Sequence, residues 1–112
     1  MIKVKILRIY LREGDKFKDD VMYKHIVKIL KKEGISGATV YKGICGYGVR
    51  GIAEMDIFRL SINLPVVVEC IDTEENINRV LPKLYEILKD NGLITIIDGY
   101  VYKGEIHVGE DK

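Results

Sequence analysis

Gly37-Ala38-Thr39-Val40-Tyr41-Lys42-Gly43-Ile44-Cys45-Gly46-Tyr47-Gly48-Val49-Arg50-Gly51 decides how the rest of this chain is read. It begins as a strand, since Thr39, Val40 and Tyr41 suit a pleated, half-buried surface. It then breaks into glycines, which let backbone amides approach a ligand with no Cβ in the way. Lys42 and Arg50 flank those glycines, so a strand fraying into a basic Gly-rich loop predicts an anion or nucleotide cradle. A long, flexible hairpin loop, about residues 43–63, accounts for the same glycines, because glycine punctuates turns.

Working outward, the segment Val4 to Arg12 alternates on two registers. Leu7, Ile9 and Leu11 form one face; Val4, Ile6 and Tyr10, interrupted by Arg8, form the other. A sheet covered on one side by helices has a polar second side. Here both sides are apolar, which predicts a cover for the second, and in so short a chain the natural cover is another copy.

Glu13 to Lys18 reads as a loop, and Asp19 or Asp20 is placed to N-cap a helix. Met22, Ile26, Ile29 and Leu30 recur on one face of that helix, and Gly34 ends it after the basic Lys31-Lys32 turn. His25 falls beside the apolar stripe and reads as a packed imidazole. Beyond the Gly-rich stretch, the mixed segment Ile52 to Asn63 carries Glu54, Asp56 and Arg59. Leu64 to Ile71 is a third strand, with Pro65 at its start where a missing amide does little harm. Asp72-Thr73-Glu74-Glu75 opens a second helix with the stripe Ile77, Val80, Leu81, Leu84, Ile87 and Leu88. Pro82 within it predicts a kink or break near Asn78 to Leu81. Asn91-Gly92 stops the helix, Leu93 to Tyr102 is the fourth strand, and residues 103–112 form a polar tail. The order β-α-β-β-α-β predicts an α+β, ferredoxin-like sandwich: an antiparallel four-stranded sheet with two helices on one face.

The whole chain, 112 residues, is long enough for one domain with a real core. An apolar fraction of 47% excludes disorder, and a net charge of +1 with interspersed signs gives no general reason to bind nucleic acid. No run is long enough to insert in a membrane, and the N-terminus lacks a signal-peptide core, so a cytoplasmic location is expected. Cys45 and Cys70, far apart in sequence, read as buried free thiols. The absence of Gln beside abundant Lys, Glu and Ile leans towards a heat-tolerant source. There is no GxxxxGK[ST] loop, HExxH or CxxC, and neither Ser36 nor Ser61 sits in a nucleophile elbow. No catalytic constellation is legible, so a non-enzymatic binding or regulatory protein is expected. His25, His107, Cys45 and Cys70 are the candidates for a metal-binding alternative of the CutA kind, with no local spacing to support it.

Leu7-Arg8-Ile9-Tyr10, Gly34 to Val40, Gly43 to Gly48, Arg59-Leu60-Ser61, Leu64 to Val67 and Gly92 to Thr95 together resemble the PII-like group filed as domain-of-unknown-function family 190, within the PII signalling superfamily. The resemblance implies a homotrimer with inward-facing sheets, adenine-nucleotide sites in the clefts between subunits, and a loop that reports ligand state to a target protein such as a membrane transporter or an enzyme. By position it puts Thr39 beside the adenine, Gly46 and Gly48 at the loop base, and Lys103-Gly104-Glu105 in the place of a basic C-terminal loop. Gly43, Lys42, Arg50 and Arg59 complete the expected nucleotide-binding set, and no further cofactor is implied. Where PII proteins carry a glycine- and lysine-bearing phosphate loop, this chain has only Asn91-Gly92-Leu93-Ile94-Thr95. That departure favours AMP or ADP over ATP.

Overall fold

The computed structural model describes the backbone of residues 1–56 and 61–106 and the side chains of residues 1–51 and 63–106. The elements in order are β1 (Ile2–Arg12), β2 (Lys16–Phe17), β3 (Asp20–Val21), α1 (Met22–Lys32), β4 (Ala38–Lys42), β5 (Cys45–Gly48), β6 (Gly51–Asp56), β7 (Ser61–Ile62), β8 (Pro65–Asp72), α2 (Glu74–Leu88) and β9 (Leu93–Val101). The main sheet runs β4-β8-β1-β9. Each neighbouring pair is antiparallel, with Leu7 opposite Cys70 on one side and Ile96 on the other. This is the expected ferredoxin-like arrangement, with β8 and β1 at its centre.

Alternation along β1 explains the layering. Leu7, Ile9 and Leu11 point to the helices and are buried with Met22, Ile26 and Leu30 of α1 and Ile77, Val80 and Leu84 of α2. Burial of such side chains contributes about 1.5–3 kcal/mol each. Ile6, Arg8 and Tyr10 point the other way, beside Ile71, Glu69 and Val67 of β8 and Ile97, Thr95 and Leu93 of β9. No described helix covers that side. Tyr10, Ile71, Ile97 and Leu93 are exposed there.

The helix ends follow from their residues. Gly34, at φ +85°, lets the Ile35 amide reach the Leu30 carbonyl and its own amide reach Lys31, which closes α1 with a Schellman motif. Thr73 caps α2, its Oγ1 accepting from the Asn76 amide at 3.2 Å. Gly92, at φ +82°, has no room for a side chain: a Cβ would lie 2.9 Å from Leu88 and 3.0 Å from Leu11.

Three expectations need correcting. Neither Asp19 nor Asp20 caps α1: Asp20 pairs with Phe17 in the small β2–β3 ladder, and Val21 occupies the cap position without a side-chain bond. The Met22 amide is satisfied instead by the Asp15 carbonyl at 2.8 Å. Pro82 does not break α2, which runs on to Leu88. Both Pro82 and Asn78, whose carbonyl loses its helical partner, lie on the exposed side of the helix, where the lost bond costs least. Cys45 is exposed rather than buried, because it stands in β5 outside the main sheet. Within the stretch read as a flexible hairpin loop over 43–63, a second sheet, β5-β6-β7, sets Cys45 opposite Glu54 and Gly48 opposite Gly51. Gly51 at φ +97° makes its tight turn possible. Arg59 and residues 107–112, including His107, lie outside the described residues.

Candidate functional site

β4 and β9 are opposite edges of the sheet, yet residues at the start of β4 and residues following β9 meet in one place. Past Val101, Lys103-Gly104-Glu105-Ile106 lines a cleft that Thr39 of β4 also lines. Together with Ser36 and Gly37 from the α1–β4 connection and Glu69, Cys70 and Ile71 of β8, this segment encloses the cleft, of about 410 Å³. That volume lies within the roughly 300–1,000 Å³ of small-molecule sites. Within this segment Gly104 has a φ of +136°, which is strained for any side chain.

Asp72 holds the wall of this cleft. It is fully buried at the junction of β8 and α2. Its Oδ2 accepts from the Ser36 amide at 2.8 Å, while Oδ1 accepts from the Thr73 amide at 2.8 Å and Asn76 Nδ2 at 2.7 Å. One carboxylate therefore joins the start of the second helix to the loop that presents Gly37 and Thr39.

Charges on the cleft floor are paired. Glu69 stands opposite both Thr39 and Arg8 in the register and accepts from Arg8 Nε at 2.7 Å. The Glu69 carboxylate raises the Arg8 guanidinium further above its usual range. Tyr41 Oη, on the same face, lies 3.4 Å from the other Glu69 oxygen. The Cys70 thiol is pushed up to about 12 by burial, aided by the charges of Asp72 and Glu69. It is therefore a protonated wall group at neutral pH, not a nucleophile.

The site residues expected from sequence separate into two groups. Thr39 and Lys103 line the cleft. Lys42 and Arg50 stand elsewhere, already engaged: Lys42 Nζ lies 2.5 Å from Glu13 Oε2, and Arg50 makes two 2.8 Å bonds to Asp15. Gly43 and Gly46 pack against Pro65, where a Cβ on Gly43 would come within 2.8 Å of the ring. A packing reason thus covers Gly43 without a ligand. Gly48 opposes Gly51 at the hairpin turn. His25 stacks on Phe17 with ring centroids 4.6 Å apart, a packed imidazole as read. Among the described residues no three His, Cys, Asp or Glu side chains gather to hold a metal. No described helix is long and apolar enough to cross a membrane.

Sequence reading missed Ser36, Glu69, Ile71 and Val101. They come from segments far apart in the chain, and only strand register brings Glu69 opposite Thr39.

Comparison with known proteins bears on this geometry. The sequence model of the DUF190 family, described as "Uncharacterized ACR", matches residues 4–101. A UPF0166 protein of Methanocaldococcus jannaschii is 78% identical over 107 residues, 96% of this chain and 99% of that one. One from Aquifex aeolicus is 42% identical over 99 residues, 88% of this chain and 92% of that one. Among solved structures, CPII of Thiomonas intermedia K12, a nitrogen regulatory PII-like protein bound to ADP, AMP and bicarbonate, matches with a TM-score of 0.69 at 19% identity over 90% of each chain. The Bacillus subtilis GlnK–ATP complex matches at 0.56 and 15% identity, over 88% of this chain and 84% of that one. At such identities the shared property is the fold. Two helices on one face of an antiparallel sheet, a family match over nearly the whole chain and close relatives at full length agree: the chain belongs to the DUF190 family and has a PII-like fold.

Proposed function

We propose that this protein is a non-enzymatic, PII-like regulator. It binds an adenine nucleotide, AMP or ADP in preference to ATP, in clefts between the subunits of a homotrimer. The observation that carries this reading is the meeting of Thr39 with Lys103-Gly104-Glu105 in one cleft on the helix-free face of the sheet. The family resemblance pairs these two stretches at a nucleotide site on positional grounds alone, and here they share a wall although 63 residues lie between Thr39 and Lys103. Lys103 supplies a cation for phosphate, Gly37 an open backbone where an added Cβ would meet nothing within 4 Å, and Ile71 an apolar surface for a purine. CPII, with the same fold, has been solved with ADP and AMP. The exposed apolar side chains opposite the helices support burial against further copies, which would close the cleft from outside. Gly46, Gly48 and the loop they begin would then carry the bound state to a target protein, by a shift between populated conformations.

Titration calorimetry with AMP, ADP and ATP on the purified oligomer tests this. Saturable heat for AMP or ADP, lost in Lys103→Ala together with Thr39→Ala, is the expected result. No heat at millimolar nucleotide, with the protein folded and trimeric by sedimentation, would refute the nucleotide assignment.

A further inference from the structure

The Gly-rich hairpin is fastened at its tip, and the fastening is separate from the cleft. Arg50 sits in the two-residue turn between β5 and β6, where Gly48 pairs with Gly51. Its guanidinium reaches back to the β1–β2 turn and grips Asp15 with both nitrogens, at 2.8 Å each, while Nη1 also lies 3.2 Å from Asn91 Oδ1. Next door, Arg12 donates to the Gly51 carbonyl. Asp15 is well prepared for this task. Its carboxylate is 9% exposed and is held in place by the Arg12 amide at 3.0 Å. Burial alone would raise its pKa, but the Arg50 hydrogen bonds and the Arg12 amide outweigh that and keep it below the usual carboxylate range.

The neighbours of this pair are poorly anchored otherwise. Ile44, Tyr47 and Val49 are all largely exposed and contribute little packing to hold the turn down. β5 is an edge strand of its small sheet and pairs with β6 over four residue pairs. Among the described residues, the contacts that hold the hairpin tip are polar ones to the β1–β2 and α2–β9 turns.

We infer that Arg50 and Asp15 form a latch: their pairing holds the hairpin tip against the β1–β2 turn, and breaking that one pair frees the tip while leaving the main sheet and helices intact. This inference does not depend on the nucleotide reading. It gives any anion that competes with Asp15 for Arg50 a direct means of moving the hairpin.

The Arg50–Gly51 bond is itself the reporter. Trypsin must take the Arg50 side chain into its specificity pocket, so the latch has to open before cleavage. In limited proteolysis of the full-length oligomer, Asp15→Asn, which keeps an acceptor for the Arg12 amide, is expected to be cut at Arg50–Gly51 about tenfold faster than the wild type. Amide exchange across β5 is expected to accelerate in parallel, with α1 and α2 unchanged. Equal cleavage and equal β5 exchange in the two proteins would overturn the latch. If that variant does not fold, Arg50→Gln, at the partly exposed tip, is compared with the wild type by amide exchange. Faster β5 exchange with unchanged helices supports the latch, and equal exchange overturns it.

Discussion

The two faces of the four-stranded sheet are built from the same strands and have different fates. On one, Leu7, Ile9, Val68 and Cys70 disappear under α1 and α2. On the other, Ile71, Ile97, Tyr10 and Leu93 remain 40–59% exposed, grouped around the Arg8–Glu69 ion pair. Strand alternation makes both faces apolar, but the described helices lie on only one. An extended exposed apolar patch marks an interaction surface. Val4, on the helix-free side, is already buried within the chain, while Ile71, Ile97, Tyr10 and Leu93 are left for the further copies proposed above.

The largest expected effect breaks this contrast outright. Ile71→Asp places a charge at the middle of the uncovered face, and in a trimer it would be desolvated between copies. We expect sedimentation to show single chains at concentrations where the wild type is assembled. A fully assembled Ile71→Asp protein would show that the face is ordinary surface.

On the covered face, Leu7→Ala leaves a cavity under both helices. It should lower unfolding stability by about 2–5 kcal/mol in chemical denaturation, without needing any change in assembly. A loss below about 1 kcal/mol would mean that the face is not a close-packed core.

The buried thiol gives a sharper, pH-dependent test of the same layer. An unfolded cysteine titrates at about 8.5, whereas burial pushes Cys70 up to about 12. Between these values the folded chain holds a proton that the unfolded chain has lost, so the contribution of Cys70 to stability declines as pH rises. Relative to Cys70→Ala, the wild type should lose up to about 1.4 kcal/mol per pH unit from pH 9 upward. Parallel stability curves for the two proteins would contradict this burial.

The smallest effect concerns the helix that roofs the covered face. Thr73→Ala removes the cap of α2 and should cost about 1 kcal/mol, read as a shift in thermal midpoint. Because Asp72 also ties Ser36 to this helix start, the same variant is expected to speed exchange at the Ser36 amide.

Much of this molecule was legible before any coordinates. Periods of two and of about three and a half residues place the four main strands and both helices, because side-chain direction repeats locally. The apolar second face of β1 is visible in Ile6 and Tyr10 alone. Legibility failed where a distant partner decides. Asp20 looks like a cap, but the Phe17 ladder takes it into a strand; Pro82 looks like a break, but its face of the helix meets water. Lys42 and Arg50 look like free phosphate ligands, yet Glu13 and Asp15, about 30 residues earlier, have taken them. The glycines at 43, 46, 48 and 51 look like slack, but they sit in or beside a ladder that only strand pairing reveals.

By itself the sequence determined the order of elements, the helix stripes, the two-sided sheet and the family, since each depends on neighbours a few residues apart or on motifs kept in order. The tertiary structure alone decided that Thr39 and Lys103 share a cleft, that Asp72 braces its wall, and that Arg50 is held by Asp15. Those are contacts between segments tens of residues apart, and their geometry is set by strand register and tertiary packing, which no local pattern encodes.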